Sequence, residues 1–170
     1  EILGVVTKTY LPTTGEFYEE RWFSSELDRV GEFVKIEGKE IPFGADLLFA
    51  AENIPELKIG IEICEDLWAV IPPSSELAIS GATLLLNPSA SNEILGKFEY
   101  RKELVRQQSA RCIAAYVYSS AGANESSTDV VYSGHALVAE NGSILAESSR
   151  YSFATEMTLV DIDLERLVND

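Results

Sequence analysis

Short apolar runs alternate with helix-like segments along this chain, and that alternation limits the possible folds more than any other feature. Residues 57–63 and 83–86 are apolar runs of the kind that forms buried strands. Residues 74–80 begin with two serines suited to capping and end before Gly81, which predicts a short helix. Residues 98–115 show the clearest helical pattern. Strands that alternate with helices predict a layered α/β architecture.

Turn signals and further apolar runs divide the rest of the chain into short elements. Hairpin turns are predicted around Gly38 and at the Asn141-Gly142 pair. Asp163 is a suitable N-cap for a final helix over residues 164–168. The other predicted strands cover residues 2–7, 46–51, 115–119, 130–132, 136–139, 144–148 and 158–162. No repeat or low-complexity linker interrupts these elements, so residues 1–170 are expected to form one domain.

Charge and cysteine content narrow the class of protein. The formal net charge is −15, which disfavours nucleic acid or an anionic membrane surface as a partner. No apolar run is long enough for a membrane span, and we recognise no signal-peptide pattern. The two cysteines, Cys64 and Cys112, are too few for a disulfide framework. We therefore expect a reducing compartment and a cytoplasmic protein.

Cys64 stands at the end of the apolar run 57–63 and is followed at once by Glu65-Asp66-Leu67-Trp68. The abrupt change in polarity predicts a sharp exit from a strand. A thiol at such a corner is held by a rigid element and presented outward, as a nucleophile requires. The alternative is a small buried side chain, because free cysteine is among the most buried residue types.

Lys8 and Glu16 supply the other groups of a possible amide-hydrolysing site. Lys8 ends an apolar run, and Glu16 follows it in a loop that contains proline and glycine. A nearby ammonium stabilises a thiolate and then the oxyanion of a tetrahedral intermediate. A carboxylate can orient that lysine and exchange protons with it. Taken singly, both residues are equally compatible with an exposed surface.

Several motifs together resemble the nitrilase, or carbon-nitrogen hydrolase, superfamily. The Glu-Asp-Leu-Trp and Asn-Pro-Ser-Ala-Ser segments make the chain most similar to the glutamine-hydrolysing amidase domains of glutamine-dependent NAD synthetases. The motifs are Lys8-Thr9-Tyr10-Leu11-Pro12, Gly15-Glu16-Phe17-Tyr18-Glu19, Ile61-Glu62-Ile63-Cys64-Glu65-Asp66-Leu67-Trp68, Asn87-Pro88-Ser89-Ala90-Ser91, Gly96-Lys97, residues 101–115 and Ala121-Gly122-Ala123-Asn124-Glu125.

The resemblance implies a function and a set of roles. The family's nucleophile falls on Cys64, its catalytic lysine on Lys8 and its second glutamate on Glu16, and the backbone N–H of Trp68 falls at the oxyanion hole. Cys64 would form a thioester with glutamine and release ammonia to a synthetase domain. The fold implied is an α-β-β-α sandwich.

The resemblance also implies how the substrate is held and which partners are needed. Ser91 and Lys97 match positions that bind glutamine, with Lys97 as a candidate partner of its α-carboxylate. No metal and no cofactor are implied for the amidase chemistry, since ATP and Mg²⁺ act in the synthetase domain. A homo-oligomer is expected.

One part of the family's pattern has no counterpart in this chain. The general-base glutamate precedes the lysine in the family, usually in a Pro-Glu-Leu setting, and Glu1 is the only carboxylate before Lys8. Pro55-Glu56-Leu57 has the same residue types, but it comes after the lysine, which is the wrong place in the family's chain order. Glu56 is therefore interpreted as a turn residue. We expect a fragment without the N-terminal portion, with negligible glutaminase activity by itself, since a catalytic base contributes about 100- to 10,000-fold.

Two other functions remain open at this point. A stand-alone amidase or nitrilase of the same superfamily would use the same lysine, glutamate and cysteine. A non-catalytic, acidic interaction domain is the alternative outside enzymology. Structural roles are expected for three other residues: Cys112 in the core, His135 in a strand, and Arg101 on a solvated or interdomain face of the long helix.

Overall fold

The computed structural model describes residues 1–170, which form eight strands and three α-helices. The strands are β1 (Phe33–Ile36), β2 (Lys39–Pro42), β3 (Leu48–Ala51), β4 (Ile54–Ile61), β5 (Leu84–Ser89), β6 (Ala115–Ser120), β7 (Ala136–Glu140) and β8 (Ser143–Glu147). The helices are α1 (Pro73–Ile79), α2 (Lys97–Cys112) and α3 (Leu164–Asn169).

Six strands form one mixed sheet in the order β3-β4-β5-β6-β7-β8. The central strands β4, β5 and β6 are parallel, and parallel neighbours need a crossover connection. Helix α1 supplies it between β4 and β5, and α2 supplies it between β5 and β6. The outer pairs are antiparallel. Because the carboxyl ends of the parallel strands share one edge, the segments that follow them converge there.

Local turn chemistry sets several boundaries as predicted, but not the start of α1, where Pro72 is the N-cap without a side-chain hydrogen bond and the two serines lie inside the helix. Helix α1 has Pro73 at its first position and ends in two hydrogen bonds, from Gly81 N–H to the Ala78 carbonyl at 2.8 Å and from Ala82 N–H to the Leu77 carbonyl at 2.9 Å. This is a Schellman motif, which requires the positive φ of +101° that Gly81 adopts. The predicted hairpin turns separate β1 from β2 and β7 from β8.

The hydrophobic core lies between the sheet and the layer of α1 and α2. Its fully packed members come from both layers: Leu67, Leu77, Ala82, Leu85, Val105, Ala114, Tyr116, Tyr118, Leu137 and Ala139. Cys112 packs against this cluster, as expected. The α/β class is therefore confirmed, and these layers are one helical layer and one sheet of the expected sandwich. None of the helices is both long enough and apolar enough to cross a membrane.

Three predicted strands do not form. Residues 2–7 contribute only one isolated bridge, between Val5 and Phe43, and residues 130–132 and 158–162 lie outside every strand. An apolar run becomes a strand only when a neighbouring strand edge satisfies its backbone groups. Glu56, expected in a turn, instead lies inside β4. It is near the strand's opposite end from Cys64, roughly 20–25 Å away at the usual rise per residue.

Candidate active site

The candidate nucleophile Cys64 follows β4 closely and is the first residue of a 3₁₀-helix, Cys64–Trp68. Its φ is +50°, in the left-handed region that few residues other than glycine adopt. Its N–H donates to Oδ1 of Asn87, on the neighbouring strand β5, at 3.1 Å. The cysteine is half-buried. A sharp turn directly after a strand holds a nucleophile rigidly and leaves its side chain reachable.

Asp66 joins the lysine loop to the cysteine turn. Its carboxylate is fully buried and accepts three backbone N–H groups, from Thr9 at 3.1 Å, Tyr10 at 2.8 Å and Ile63 at 2.9 Å. These bonds connect the residues that follow Lys8 with the residue that precedes the candidate nucleophile. Lys8 and Ile63 also line one cavity of about 400 Å³. The structure therefore joins the loop that carries Lys8 to the turn that carries Cys64.

The carboxylates of the lysine loop differ in their partners. Lys8 forms an ion pair with Glu19. Glu16 accepts a hydrogen bond from the side-chain amide of Asn92, whose Oδ1 in turn accepts one from Nζ of Lys97. Glu19 rather than Glu16 is thus the carboxylate that orients Lys8 here, and Glu16 is linked to the predicted substrate-binding lysine.

Aromatic rings surround Lys97 at the start of α2. Its Nζ lies 5.0 Å from the ring centroid of Trp68 and 6.0 Å from that of Phe17, within the range of cation–π attraction. The Trp68 ring packs against Tyr100, with centroids 5.5 Å apart. Burial lowers the pKa of Lys97, and the positive charge of Arg101 lowers it further. The side chain is therefore held in place by both ring contacts and the Asn92 oxygen.

Trp68, the predicted source of an oxyanion N–H, is the last residue of the 3₁₀-helix that Cys64 begins. Its N–H lies four residues after the candidate nucleophile, and its role in an oxyanion hole stays a prediction.

Arg101 is fully buried, so the expectation of a solvated or interdomain face is wrong for this residue. Its guanidinium pairs with Glu93 at 2.6 Å and donates to Oγ of Ser91 at 3.4 Å and to the carbonyl of Asn92 at 3.2 Å. A buried guanidinium needs acceptors around its rigid fork of donors. Ser91, itself 3% exposed, is therefore held in place by Arg101 and presents little open surface.

His135 is buried beside the same guanidinium. Its Nδ1 lies 3.2 Å from Arg101 Nη1, and its Nε2 lies 3.2 Å from a carboxylate oxygen of Glu147. Burial and the charge of Arg101 lower the pKa of His135. The neutral ring with Nδ1 accepting and Nε2 donating satisfies both contacts. Both nitrogens are occupied by structural partners, in agreement with the structural role expected for this histidine.

Two carboxyl groups beside the nucleophile have raised pKa values. Burial raises the pKa of Glu65, and the charges of Lys8 and Lys97 oppose that rise. Burial also raises the pKa of Asp66, and its three backbone N–H donors limit the rise. Both groups therefore hold a proton more readily than an exposed carboxyl group does, within the turn that begins at Cys64.

Sequence reasoning assigned no role to three residues that organise this site: Glu19, Asp66 and Asn87. All three belong to the recognised motifs, and Asp66 and Asn87 each follow the end of a predicted strand, 57–63 or 83–86, which is the only local signal they carry. In the structure Asn87 lies inside β5. Glu19 is one acid among many in an acidic chain. Its pairing with Lys8 depends on how the loop folds back over eleven residues.

Comparison with known proteins agrees with this geometry. The profile of the carbon-nitrogen hydrolase family matches residues 1–169. A glutamine-dependent NAD(+) synthetase of Mycobacterium tuberculosis is 46% identical over 166 residues, which cover 98% of this chain and 24% of the relative. The corresponding synthetase of Saccharomyces cerevisiae is 30% identical over 180 residues, again covering 98% of this chain and 24% of the relative.

Solved structures show the same relationship. The crystal structure of a glutamine-dependent NAD(+) synthetase from Cytophaga hutchinsonii matches with a TM-score of 0.76 and 33% identity, over 89% of this chain and 24% of the other. A carbon-nitrogen hydrolase from Helicobacter pylori, 19% identical, shares the fold with a TM-score of 0.68 over 95% of this chain and 53% of the other. The chain thus spans about a quarter, 24%, of the length of the curated relatives it matches. It belongs to the carbon-nitrogen hydrolase family.

Proposed function

We propose that this chain carries the nucleophile, Cys64, and the substrate-binding residues of a site that hydrolyses the side-chain amide of glutamine and supplies the ammonia to an NAD synthetase domain. Support comes from the names of its relatives, which are glutamine-dependent NAD(+) synthetases in bacteria and yeast. Relatives from separate kingdoms that carry the same name favour glutamine over simpler amides as the substrate.

One observation carries the proposal, namely the buried carboxylate of Asp66 that ties the lysine loop to the cysteine turn. A cysteine and a lysine become a catalytic pair only when the ammonium lies where negative charge develops. Three hydrogen bonds to backbone groups fix the loop that carries Lys8 against the turn that carries Cys64, which supports such a pairing.

The reaction has two balanced halves. The Cys64 sulfur attacks the amide carbon of glutamine, the thiol proton passes to the leaving nitrogen, and ammonia departs as the thioester forms. Water then attacks the thioester, which releases glutamate and returns a proton to the sulfur. Lys8 and the N–H of Trp68 stabilise the oxyanion in both halves. Glu19 and Glu16 keep the ammonium groups of the site oriented. The proton transfers need the family's general-base glutamate, for which residues 1–170 show no counterpart.

Lys97 and Ser91 hold the far end of the substrate. The Lys97 ammonium binds the α-carboxylate of glutamine, and its aromatic neighbours restrict it to one position, which reduces the entropy lost on binding. Ser91 contributes from the loop that Arg101 holds in place. The amidase step needs no cofactor, since ATP and Mg²⁺ belong to the synthetase domain. The protein is proposed to act in the cytoplasm as a homo-oligomer.

The test compares substrates on the full natural chain that carries these residues. Ammonia release is measured with glutamine, a simple amide and a nitrile, for the unchanged protein, for Cys64→Ala and for the control Cys112→Ala. We expect glutamine to be preferred, Cys64→Ala to abolish turnover and Cys112→Ala to retain it. A preference for the simple amide or the nitrile would favour a stand-alone amidase. Absence of turnover with all three would favour an interaction domain.

A further inference from the structure

A chain of buried polar groups leads from the backbone of Cys64 into the core. Asn87 accepts the Cys64 N–H at 3.1 Å, and its Nδ2 lies 3.5 Å from the Cys64 carbonyl oxygen. The same Nδ2 donates to the hydroxyl of Tyr116 at 3.0 Å, and that hydroxyl donates to the Glu62 carboxylate. Asn87, Tyr116 and Glu62 are each at most 1% exposed. The catalytic steps described above use none of these three side chains.

When Glu62 is ionised, the hydrogen bonds of this chain run in one direction; burial raises the pKa of this carboxyl group, and the hydrogen bonds from Tyr116 and Ser74 oppose that rise. The second oxygen of Glu62 accepts the Ser74 N–H at 2.7 Å, and an ionised carboxylate can only accept. Tyr116 therefore donates its proton to Glu62 and keeps a lone pair for the amide of Asn87. Oδ1 of Asn87 is then left for the Cys64 N–H, and the hydroxyl of Ser89 donates to it as well at 2.6 Å. The opposite orientation of the carboxamide would place donors against donors.

The backbone of Cys64 needs such support because of its conformation. A φ of +50° is unfavourable for a residue with a Cβ atom, and it persists only where the surroundings enforce it. Relaxation to a negative φ would rotate the side chain away from its present direction. The thiol would then move relative to the lysine loop, which Asp66 holds separately.

We propose that Asn87 is a positioning residue for the nucleophile, and that Tyr116 and Glu62 act through it by fixing the orientation of its carboxamide. Asn87 binds both peptide groups of Cys64 and so holds the left-handed turn that presents the thiol to Lys8. The proposal rests on the proposed function for the identity of the nucleophile. It adds three residues from β5, β6 and the end of β4 to the machinery that sets thiol reactivity.

The test measures thiol reactivity rather than glutamine turnover. The full natural chain is treated with iodoacetamide over a pH series, and peptide mass spectrometry gives separate rates for Cys64 and Cys112. We expect Asn87→Ala to slow the alkylation of Cys64 by about 10- to 100-fold at neutral pH, the loss typical of small displacements in an active site. The midpoint of its pH profile moves upward, because the thiolate is farther from the lysine. Tyr116→Phe produces a smaller change in the same directions.

Ser109→Ala is the matched control, because it also removes a buried hydroxyl, one that accepts the Gly142 N–H at 3.0 Å. It should leave the rate and the midpoint at Cys64 unchanged. If Asn87→Ala does not fold, Asn87→Asp and Tyr116→Phe decide the question. Folded variants at Asn87 and Tyr116 with unchanged rate and midpoint at Cys64 would overturn the proposal.

The two proposals fail in different ways. Alkylation requires no glutamine, so an unchanged protein that does not hydrolyse glutamine would contradict the proposed function alone. Slower alkylation of Cys64 in the Asn87 variant would still support the positioning role. Faster alkylation of Cys112 in the same variant would indicate general unfolding, because exposure removes the burial that raises the pKa of this thiol to about 11; the folded variants Asn87→Asp and Tyr116→Phe then decide the question.

Discussion

Replacing Asp66 by asparagine tests the contact that joins the two halves of the site. The change keeps the shape of the side chain but provides one acceptor oxygen instead of two. If that oxygen keeps the hydrogen bonds from the Thr9 and Tyr10 N–H groups, the new amide group faces the Ile63 N–H. In the unchanged protein this N–H lies 2.9 Å from Oδ2 of Asp66. Two donors then oppose each other in a position that is closed to solvent.

The expected loss of stability in Asp66→Asn follows from the hydrogen bonds that the substitution removes. A hydrogen bond to a charged group contributes about 1.5–3 kcal/mol, and a buried donor without a partner costs about 1–3 kcal/mol. Burial of the charged carboxylate is unfavourable, which is why the pKa of Asp66 is raised. The neutral asparagine avoids this cost, and that gain offsets part of the lost stability. We expect the free energy of unfolding to fall by about 2–4 kcal/mol, with a larger proportional loss of glutaminase activity than of stability.

Urea unfolding followed by circular dichroism measures the change, and ammonia release from the folded variant measures activity. Asp46→Asn is the control, because the Asp46 side chain is 77% exposed and its ion pair with Arg29 is long, at 3.7 Å. It should change stability by less than about 0.5 kcal/mol. An Asp66→Asn variant with unaltered unfolding midpoint and activity would refute the conclusion that this carboxylate assembles the site.

Three further outcomes are expected. Iodoacetamide modifies Cys64 faster than Cys112, because burial raises the pKa of Cys112 to about 11 and only the thiolate reacts. Peptide mapping that finds a higher alkylation rate at Cys112 contradicts the proposed site. Glu93→Gln destabilises the protein at neutral pH, and the difference shrinks in acid. Burial would raise the pKa of Glu93, but hydrogen bonds from Ser133 and Arg101 lower it below its usual 4.5. The stabilisation by Glu93 is therefore present above that value and is lost as the pH falls through the lowered pKa. Equal differences in urea midpoint at neutral and at acid pH would contradict this pH dependence. Lys97→Met raises the KM for glutamine by about tenfold with a smaller change in kcat, the result of losing a charged contact to the substrate; an unchanged KM would mean that Lys97 does not bind the α-carboxylate.

Local sequence patterns were sufficient for much of the fold. The apolar runs at β4 and β5, the helix α2 and the turn at Asn141-Gly142 depend on neighbours a few residues away, and each element forms with ends about three residues or fewer from the predicted ones. The position of Cys64 after a strand follows from the same local change in polarity. Residues 158–162 have an equally strand-like pattern but no partner strand, because pairing is not a local property.

Local sequence pattern placed a thiol, an ammonium and several carboxylates at the ends of apolar runs in an α/β chain. The pairing of Glu19 with Lys8, the burial of Arg101 and the hydrogen bond from Cys64 to Asn87 became visible only in the folded chain. Strand and helix formation follow from steric and hydrophobic preferences of nearby residues. The partner of a charged or polar side chain depends on which groups distant segments bring within hydrogen-bonding distance, and in an acidic chain many carboxylates are equivalent until that happens.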